Sequence, residues 1–364
     1  MRVLLVSTSY PRLADDWRGR FIADLAAALP DEGVSVRMWA PPGPLPAEVT
    51  AATTAEESAW LDRLATAGGI ASRLRAGSLA ALPSVIGLLR RLRQAYRQET
   101  FDVAHVNWLQ NAIPLLGTRH PALIGVLGSD FGLLKLPGMA ALLKSVLAGR
   151  RALLAPNAPW MAPRLQALFG EVATVRTLPF GVAPEWFSVE RRPQPQGAPW
   201  LAVTRVTQAK IGALFEWGAG LFDARRPLIL LGPMQEDMTL PPWVDYRGAT
   251  HPEALRNEWF PQAAGLITLS RHDEGRPQVM IEAMAAGLPI IASDLPAHGD
   301  LVEEASGRLV MSREALASAL DDLSNQAMNA SAGRAARDKA QREIGDWRLA
   351  AARFRAAYRD ILAP

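Results

Sequence analysis

The stretch AGLITLSRHDEGRPQVMIEAMAAGLPIIASD, residues 264–294, decides the fold. AGLITLS is an apolar, β-prone run ending near Ser270, and LPIIASD is a second such run just beyond Gly287. Between them RHDEGR has the composition of a loop. Residues Pro277 to Ala286 read as a helix, because proline is tolerated at a first helical position and Gly287 supplies the stop. Strand, loop, helix and strand in that order are the repeating unit of a parallel sheet covered on both faces. The helix is apolar nearly all round, through Val279, Met280, Ile281, Ala283, Met284 and Ala285, the pattern of a buried helix. It nevertheless carries Glu282, and a second carboxylate, Glu274, waits upstream in the loop.

The same alternation runs outward from this stretch. WLAVTRV, PLILLGP and WVDYRG precede it as strands, and further upstream stand RVLLVS, VSVRMWAP, FDVAHV, ALIGVL, RALLAP and VATVRTLPF, with a helix near Arg18 to Leu29. The expected class is therefore α/β, with two Rossmann-like, doubly wound domains facing a central cleft. A charged, proline-rich run, SVERRPQPQGAPW, marks a linker at 188–198 between a domain at 1–187 and a domain at 199–345. The tail, 346–364, is an amphipathic helix with no strand partner and is expected to cross back to the first domain. A length of 364 residues suits two domains.

Composition excludes several classes. With 39 Lys+Arg against 36 Asp+Glu the chain lacks the concentrated basic footprint of a nucleic-acid binder. The absence of cysteine rules out disulfides, thiolate nucleophiles and cysteine-based metal sites, and suits a reducing compartment. MRVLLVSTSY reads as a first strand rather than a signal peptide, and no apolar run reaches 18 residues. A cytoplasmic location is expected, with any membrane contact peripheral and at the inner face. One segment, LPSVIGLLRRLRQAYRQ at 82–98, offers such a contact: Val85, Leu88, Leu89, Leu92 and Tyr96 share a helical stripe flanked by Arg90, Arg93 and Arg97. That pattern fits a helix lying on anionic lipid, or a domain helix with a solvated basic face.

The loop and helix start after AGLITLS would lie at the carboxyl end of a strand, where ligands of doubly wound folds bind. Main-chain amides at a helix start are unpaired and favour an anion such as a diphosphate. Glu282, two turns deeper, needs donors; vicinal ribose hydroxyls would serve, and so would a buried arginine. Arg205 and Lys210, in TRVTQAKIG just after another strand, are placed to converge on a diphosphate, Arg by its planar fork and Lys as a point charge, or to be solvated loop cations.

Together these segments resemble the retaining GT-B glycosyltransferases of family 4, the glycosyl transferases group 1. SRHDEGRPQVMIEAMAAGLPIIASD resembles that family's donor segment, with Glu, seven residues, Glu, and then EAMAxGxP; TRVTQAKIG resembles its Gly-Arg-Leu-x-x-x-Lys-Gly loop, with Thr204 for the usual Gly; TLPFGVAPEWF resembles its Pro-Asn-Gly-Val-Asp segment, with Phe180 for Asn and Ala183 for Asp. The resemblance implies that Arg205 and Lys210 hold the donor diphosphate, Glu282 the ribose and Glu274 the donor-sugar region. Gly275 and the amides of Arg276, Pro277, Gln278 and Val279 form the phosphate-side segment, Pro277 without an N–H of its own. The loop YPRLADDWRGRF resembles the family's N-terminal glycine-rich loop, with the single Gly19 where two glycines are common. FDVAHVNW keeps His105 of the family's Asp-Val-Val-His-x-His and has Asn107 for the second His; GVLGSDFG keeps Gly128, Ser129 and Asp130 but has Leu127 where many members place a sugar-contacting His. Asp130 would orient its loop or meet the acceptor, and His105 would be either part of the site or a near-core histidine.

The implied activity is transfer of a sugar from a nucleoside diphosphate donor, of UDP or GDP type, to a hydroxyl of a saccharide or lipid-linked saccharide. Such a reaction belongs to cell-surface polysaccharide or glycolipid synthesis. It would proceed with retention, with no cofactor beyond the co-substrate and no metal, the sequence having neither Asp-x-Asp nor His-x-x-x-His. The alternative is a nucleotide-sugar-binding pseudoenzyme or assembly subunit whose catalysis went with the missing His at Leu127. A nicotinamide dehydrogenase would need Gly-x-Gly-x-x-Gly after the first strand, and STSYPRLADDW lacks it.

Overall fold

Seven parallel strands form the first sheet: β1 (Arg2–Val6), β2 (Ser35–Trp39), β3 (Val49–Ala51), β4 (Val103–Asn107), β5 (Ala122–Val126), β6 (Ala152–Pro156) and β7 (Thr174–Val175), in the order β3-β2-β1-β4-β5-β6-β7. The computed structural model describes residues 1–13, 16–66, 82–192, 197–272 and 274–363. It divides into two units, Met1–Gly181 with Trp347–Pro364, and Val182–Asp346. Successive side chains of a strand point to opposite faces. Leu4 and Val6 therefore join Ala104, Val106 and Ile124 on one face of the first sheet, and Val3 and Leu5 join Val103 and Leu123 on the other. Helices Leu82–Gln98, Met139–Leu147 and Ala162–Phe169 cover the first face; Arg20–Ala28 and Trp347–Leu362 cover the second.

The Trp347–Leu362 helix is the expected crossing tail. It buries Trp347, Ala350, Ala351, Phe354, Ala357, Tyr358 and Ile361, at steps of three and four, against the first unit's sheet. Pairs Arg355–Glu32 and Arg176–Asp360, at 3.3 and 2.7 Å, fasten its polar side.

Two sequence expectations change here. His105 lies on the face that this helix covers: it is 0% exposed, its Nδ1 is 2.6 Å from the Tyr358 hydroxyl, and its ring stacks on Phe354. Burial pushes its pKa down to about 3, so it is a neutral core histidine and not a catalytic group. The stripe assigned to lipid in one reading of 82–98 faces inward, with Leu88, Leu92 and Tyr96 in the core and the Tyr96 hydroxyl donating to the Asn111 carbonyl at 2.7 Å. Among the described residues no helix is long and apolar enough to cross a membrane.

The second sheet has six parallel strands, β8 (Trp200–Val203), β9 (Leu228–Leu231), β10 (Val244–Gly248), β11 (Gly265–Thr268), β12 (Ile290–Ser293) and β13 (Gly307–Val310), in the order β10-β9-β8-β11-β12-β13. The helix from the opening stretch runs Gln278–Ala285, with Pro277 outside it as the N-cap in an extended conformation. It is apolar nearly all round because it has two covers. Met280, Ile281 and Met284 pack with Leu266 and Ile290 of the sheet and with Ala336 and Ala340 of the Gln326–Glu343 helix. Each such buried side chain is worth about 1.5–3 kcal/mol. Residues 188–192 of the expected linker pack on this unit, with Val189 in its core and Arg191 donating to the carbonyls of Ala263, Ala264 and Gly287. A charged side chain that satisfies main-chain acceptors looks like linker composition in sequence.

The His105 environment has a measurable consequence. Above its ordinary value of 6.5 the imidazole is neutral in both folded and unfolded chains; below it the unfolded chain takes a proton that the native core refuses, down to about pH 3. From pH 7.5 to pH 5 this group alone should remove about 2 kcal/mol of stability. Urea unfolding of wild type and His105→Phe at both pH values should show the stability difference shifting by that amount in favour of the variant. A pH-independent difference would contradict the buried neutral assignment.

Candidate functional site

Strand β8 runs into Thr204 and Arg205, and the chain then turns through a single helical turn, Gln208–Ile211, whose N-cap Thr207 accepts the Lys210 main-chain N–H on its hydroxyl at 3.3 Å. The turn stops at Gly212, which has φ +56°, and a Cβ there would lie 1.9 Å from the Leu269 carbonyl oxygen. Only glycine lets the two main chains approach this closely. Around that contact the Ala213 N–H donates to the Leu269 carbonyl at 3.1 Å, and the Arg271 N–H to the Ala209 carbonyl at 2.8 Å. Leu269 to Arg271 leave β11, the neighbour of β8, so two loops at the carboxyl ends of adjacent strands are stitched together. The order of strands reverses between β8 and β11, which makes this the topological switch point of the unit.

The stitching brings Lys210 to Glu274, Nζ to Oε1 at 2.5 Å, with each side chain 14% exposed. Burial lowers the Lys210 pKa, the Glu274 carboxylate opposes that, and the charge on Arg205 adds to it. Arg205, Lys210 and Glu274 thus form one electrostatic group, two cations with one carboxylate. Gly275 is buried and Arg276, Pro277, Gln278 and Val279 are half-buried as the chain enters the Gln278–Ala285 helix. Glu282 is half-buried on the second turn of that helix.

Sequence reading missed His298. It sits in the short helix Pro296–Gly299 after β12, fully buried, with Nδ1 2.8 Å from the Ser293 carbonyl. Burial holds its pKa below the usual range, with the charges of Glu274 and Lys210 both reaching it. Ser293 donates in turn to the Ser270 carbonyl at 2.6 Å, so the imidazole backs the loop that carries Glu274. A lone histidine in SDLPAHGDL gives no signal of this.

The remaining sequence candidates belong to the first unit. Gly19, with φ +65°, is the N-cap of Arg20–Ala28, and a Cβ there would lie 2.6 Å from the main chain of Ser9, so it closes the loop after β1 onto itself. Asp130 is buried and accepts the amides of Leu109 at 2.9 Å on one oxygen, and of Leu127 and Gly128, both at 3.0 Å, on the other. Burial raises its pKa to about 6 against those three bonds. Asp130 is therefore a loop-ordering carboxylate and not a catalytic one, and Gly128 is one of its donors. Leu127 packs on the apolar cluster beneath the sheet's second face. Trp108, directly after β4, was not anticipated; it is the one non-glycine residue with positive φ, 69°, among the described residues.

Residues 226–326 match the model of the family described as Glycosyl transferases group 1, a range that includes Glu274, Glu282 and His298 but not Arg205 or Lys210. No curated protein matches the sequence. Among solved structures the chain is similar to sucrose-phosphate synthase from Thermosynechococcus elongatus, at 17% identity and TM-score 0.71 over 99% of both chains. It is also similar to HepE from Anabaena in complex with UDP-glucose, at 14% identity and TM-score 0.64 over 99% of this chain and 100% of that one. A third is alpha,alpha-trehalose 6-phosphate synthase from Burkholderia multivorans, at 13% identity and TM-score 0.68 over 99% and 98%. At these identities the likeness is one of fold. The chain has the GT-B type of fold, two Rossmann-like domains with parallel sheets.

Among the described residues no three His, Asp or Glu side chains gather as metal ligands. Arg205 and Lys210 are two of the cations that the second unit carries on the loops at its switch point.

Gly212→Ala tests the stitching. The added methyl must push the Leu269 carbonyl away and the backbone must hold a left-handed conformation, at a cost of about 2–4 kcal/mol. Thermal melting should fall by several degrees; an unchanged melting temperature would show that the loops are not locked together at this point.

Proposed function

We propose that the protein transfers a sugar from a nucleoside diphosphate donor to a hydroxyl acceptor with retention of anomeric configuration, as the family 4 resemblance implies. The observation that carries this reading is the convergence of Arg205, Lys210 and Glu274 at the second unit's switch point, on loops locked by Gly212. The family match over 226–326 supports the transferase class, and HepE, similar in fold, was solved with UDP-glucose.

In this reading Arg205 and Lys210 hold the diphosphate and stabilise the negative charge that grows as it leaves, aided by the amides at the start of Gln278–Ala285. Glu282 accepts ribose hydroxyls. Glu274 turns from Lys210 toward the donor sugar when the diphosphate takes its place beside the ammonium. The bond from the anomeric carbon to the diphosphate oxygen breaks, the acceptor oxygen bonds that carbon on the same face, and the acceptor proton passes to the departing diphosphate. Lys210 and Arg205 supply the counter-charge that a divalent metal supplies elsewhere, so activity is expected to survive chelators.

A nucleoside diphosphate screen by thermal shift tests the site. UDP or GDP should raise the melting temperature of wild type, and Arg205→Ala should abolish the shift. Equal stabilisation of the variant would remove the diphosphate from this site.

Glu274→Gln separates the two halves of the donor. Releasing Lys210 from its carboxylate should leave nucleoside diphosphate affinity unchanged or severalfold tighter, while sugar transfer falls by about a hundredfold or more. Calorimetry and a product assay, with anomeric configuration read by NMR, check both arms; loss of nucleotide affinity in this variant would contradict the assigned role.

A further inference from the structure

At the other edge of the second sheet, by the amino ends of β8, β9, β11 and β12, lies a cavity of about 1400 Å³. Its walls carry Arg191, Arg192, Arg225, Arg226, Arg334 and Arg337 against only two carboxylates, Glu190 and Asp223. The distribution of partners sharpens the imbalance. Arg192 pairs with Glu190 at 2.6 Å and Arg226 with Asp321 at 2.7 Å, while Asp223 accepts the main-chain amides of Arg225 and Arg226 in a turn. Arg225 and Arg334 are exposed and make no ion pair among the described residues.

Arg191 and Arg337 are held differently. Arg191 donates to the carbonyls of Ala263, Ala264 and Gly287 and to the Asn329 side-chain oxygen. Arg337 donates to the carbonyls of Val189, Ala285 and Ala286. Carbonyl oxygens fix the guanidinium planes but bring no formal negative charge, so two cations stand together in a half-buried wall with no carboxylate on either. Burial first, and then the charge on Arg337, lower the Arg191 pKa to about 10. Four guanidinium groups, two of them pre-set in orientation, face this space without an acid of their own.

We infer that this cavity is a second anion site, for a compound carrying two or more phosphate groups. A guanidinium fork donates to two phosphate oxygens at once, as Arg225 and Arg334 can, while Arg191 and Arg337, whose N–H groups serve main-chain carbonyls, add fixed positive charge behind them. The volume exceeds that of an ordinary small-molecule pocket, about 300–1,000 Å³, so a nucleotide-sized polyanion has room. The site is separate from the diphosphate cradle of the proposed donor site, which lies at the opposite, carboxyl ends of these strands, and the inference does not depend on the transferase reading.

Inorganic tripolyphosphate is the probe, titrated calorimetrically into the full chain at low ionic strength. Wild type should bind it. With Lys210→Ala in the background, so that the proposed donor cradle contributes nothing, the Arg225→Glu, Arg334→Glu double change, made only at exposed positions, should weaken binding at least tenfold without lowering the melting temperature. Arg334→Gln, which removes one charge and keeps most of the shape, should weaken binding at least threefold, and Lys210→Ala should leave a wild-type-like binding event in place. No binding to wild type, equal binding to the rim variants, or binding lost only in Lys210→Ala would overturn the inference, as would displacement of the effect to an acidic peptide that binds where tripolyphosphate does not.

Discussion

The two loops at the second unit's switch point depend on a close main-chain approach, Gly212 against the Leu269 carbonyl. Two adjacent parallel strands deliver their following loops to the same edge, but loops drift unless something ties them. Here the tie is a position that no β-carbon can occupy, reinforced by hydrogen bonds from Ala213 and Arg271. Lys210 and Glu274 meet because of it, at a depth where an unpartnered charge is costly. Their pairing holds the ammonium and the carboxylate together, and in the proposed function an anion competes for that ammonium.

The Gln278–Ala285 helix is clamped at its far end. Arg337 takes the carbonyls of Ala285 and Ala286, and Arg191 that of Gly287, so the acceptors left over at a helix C-terminus are satisfied by cations, which also suits the helix dipole. With its sides packed on the sheet and on Gln326–Glu343, the helix has little freedom to move its N-terminal end. A rigid helix start beside a cationic loop is the preorganisation that the proposed transfer would draw on. The same arginines thus serve the helix and charge the cavity behind it.

Much of this was legible in the sequence, and the exceptions have physical causes. Most strands were readable from their β-prone runs, as was the crossing tail, whose apolar residues recur at three and four. β3, with the sequence VTA, and β13, with GRLV, were not read as strands. The Arg205, Lys210 loop and the spacing of Glu274 and Glu282 marked these residues as candidates, and the structure brings Lys210 to Glu274. Periodicity could not show that the apolar stripe of Leu82–Gln98 faces the sheet, since lipid and core select the same pattern. Nor could it tell that His105 and Asp130 are buried groups, one beneath Phe354 and Tyr358 and one enclosed by three amides, because motif position says nothing of what covers a side chain. His298 and the left-handed Trp108 have no sequence signature at all.

The most direct measurement is a crystal structure of the chain grown with UDP. The distal phosphate is expected within about 3 Å of both the Arg205 guanidinium and the Lys210 ammonium, with Glu274 swung off Lys210 and Glu282 on the ribose. UDP bound elsewhere, or bound with the Lys210–Glu274 pair intact, would contradict it.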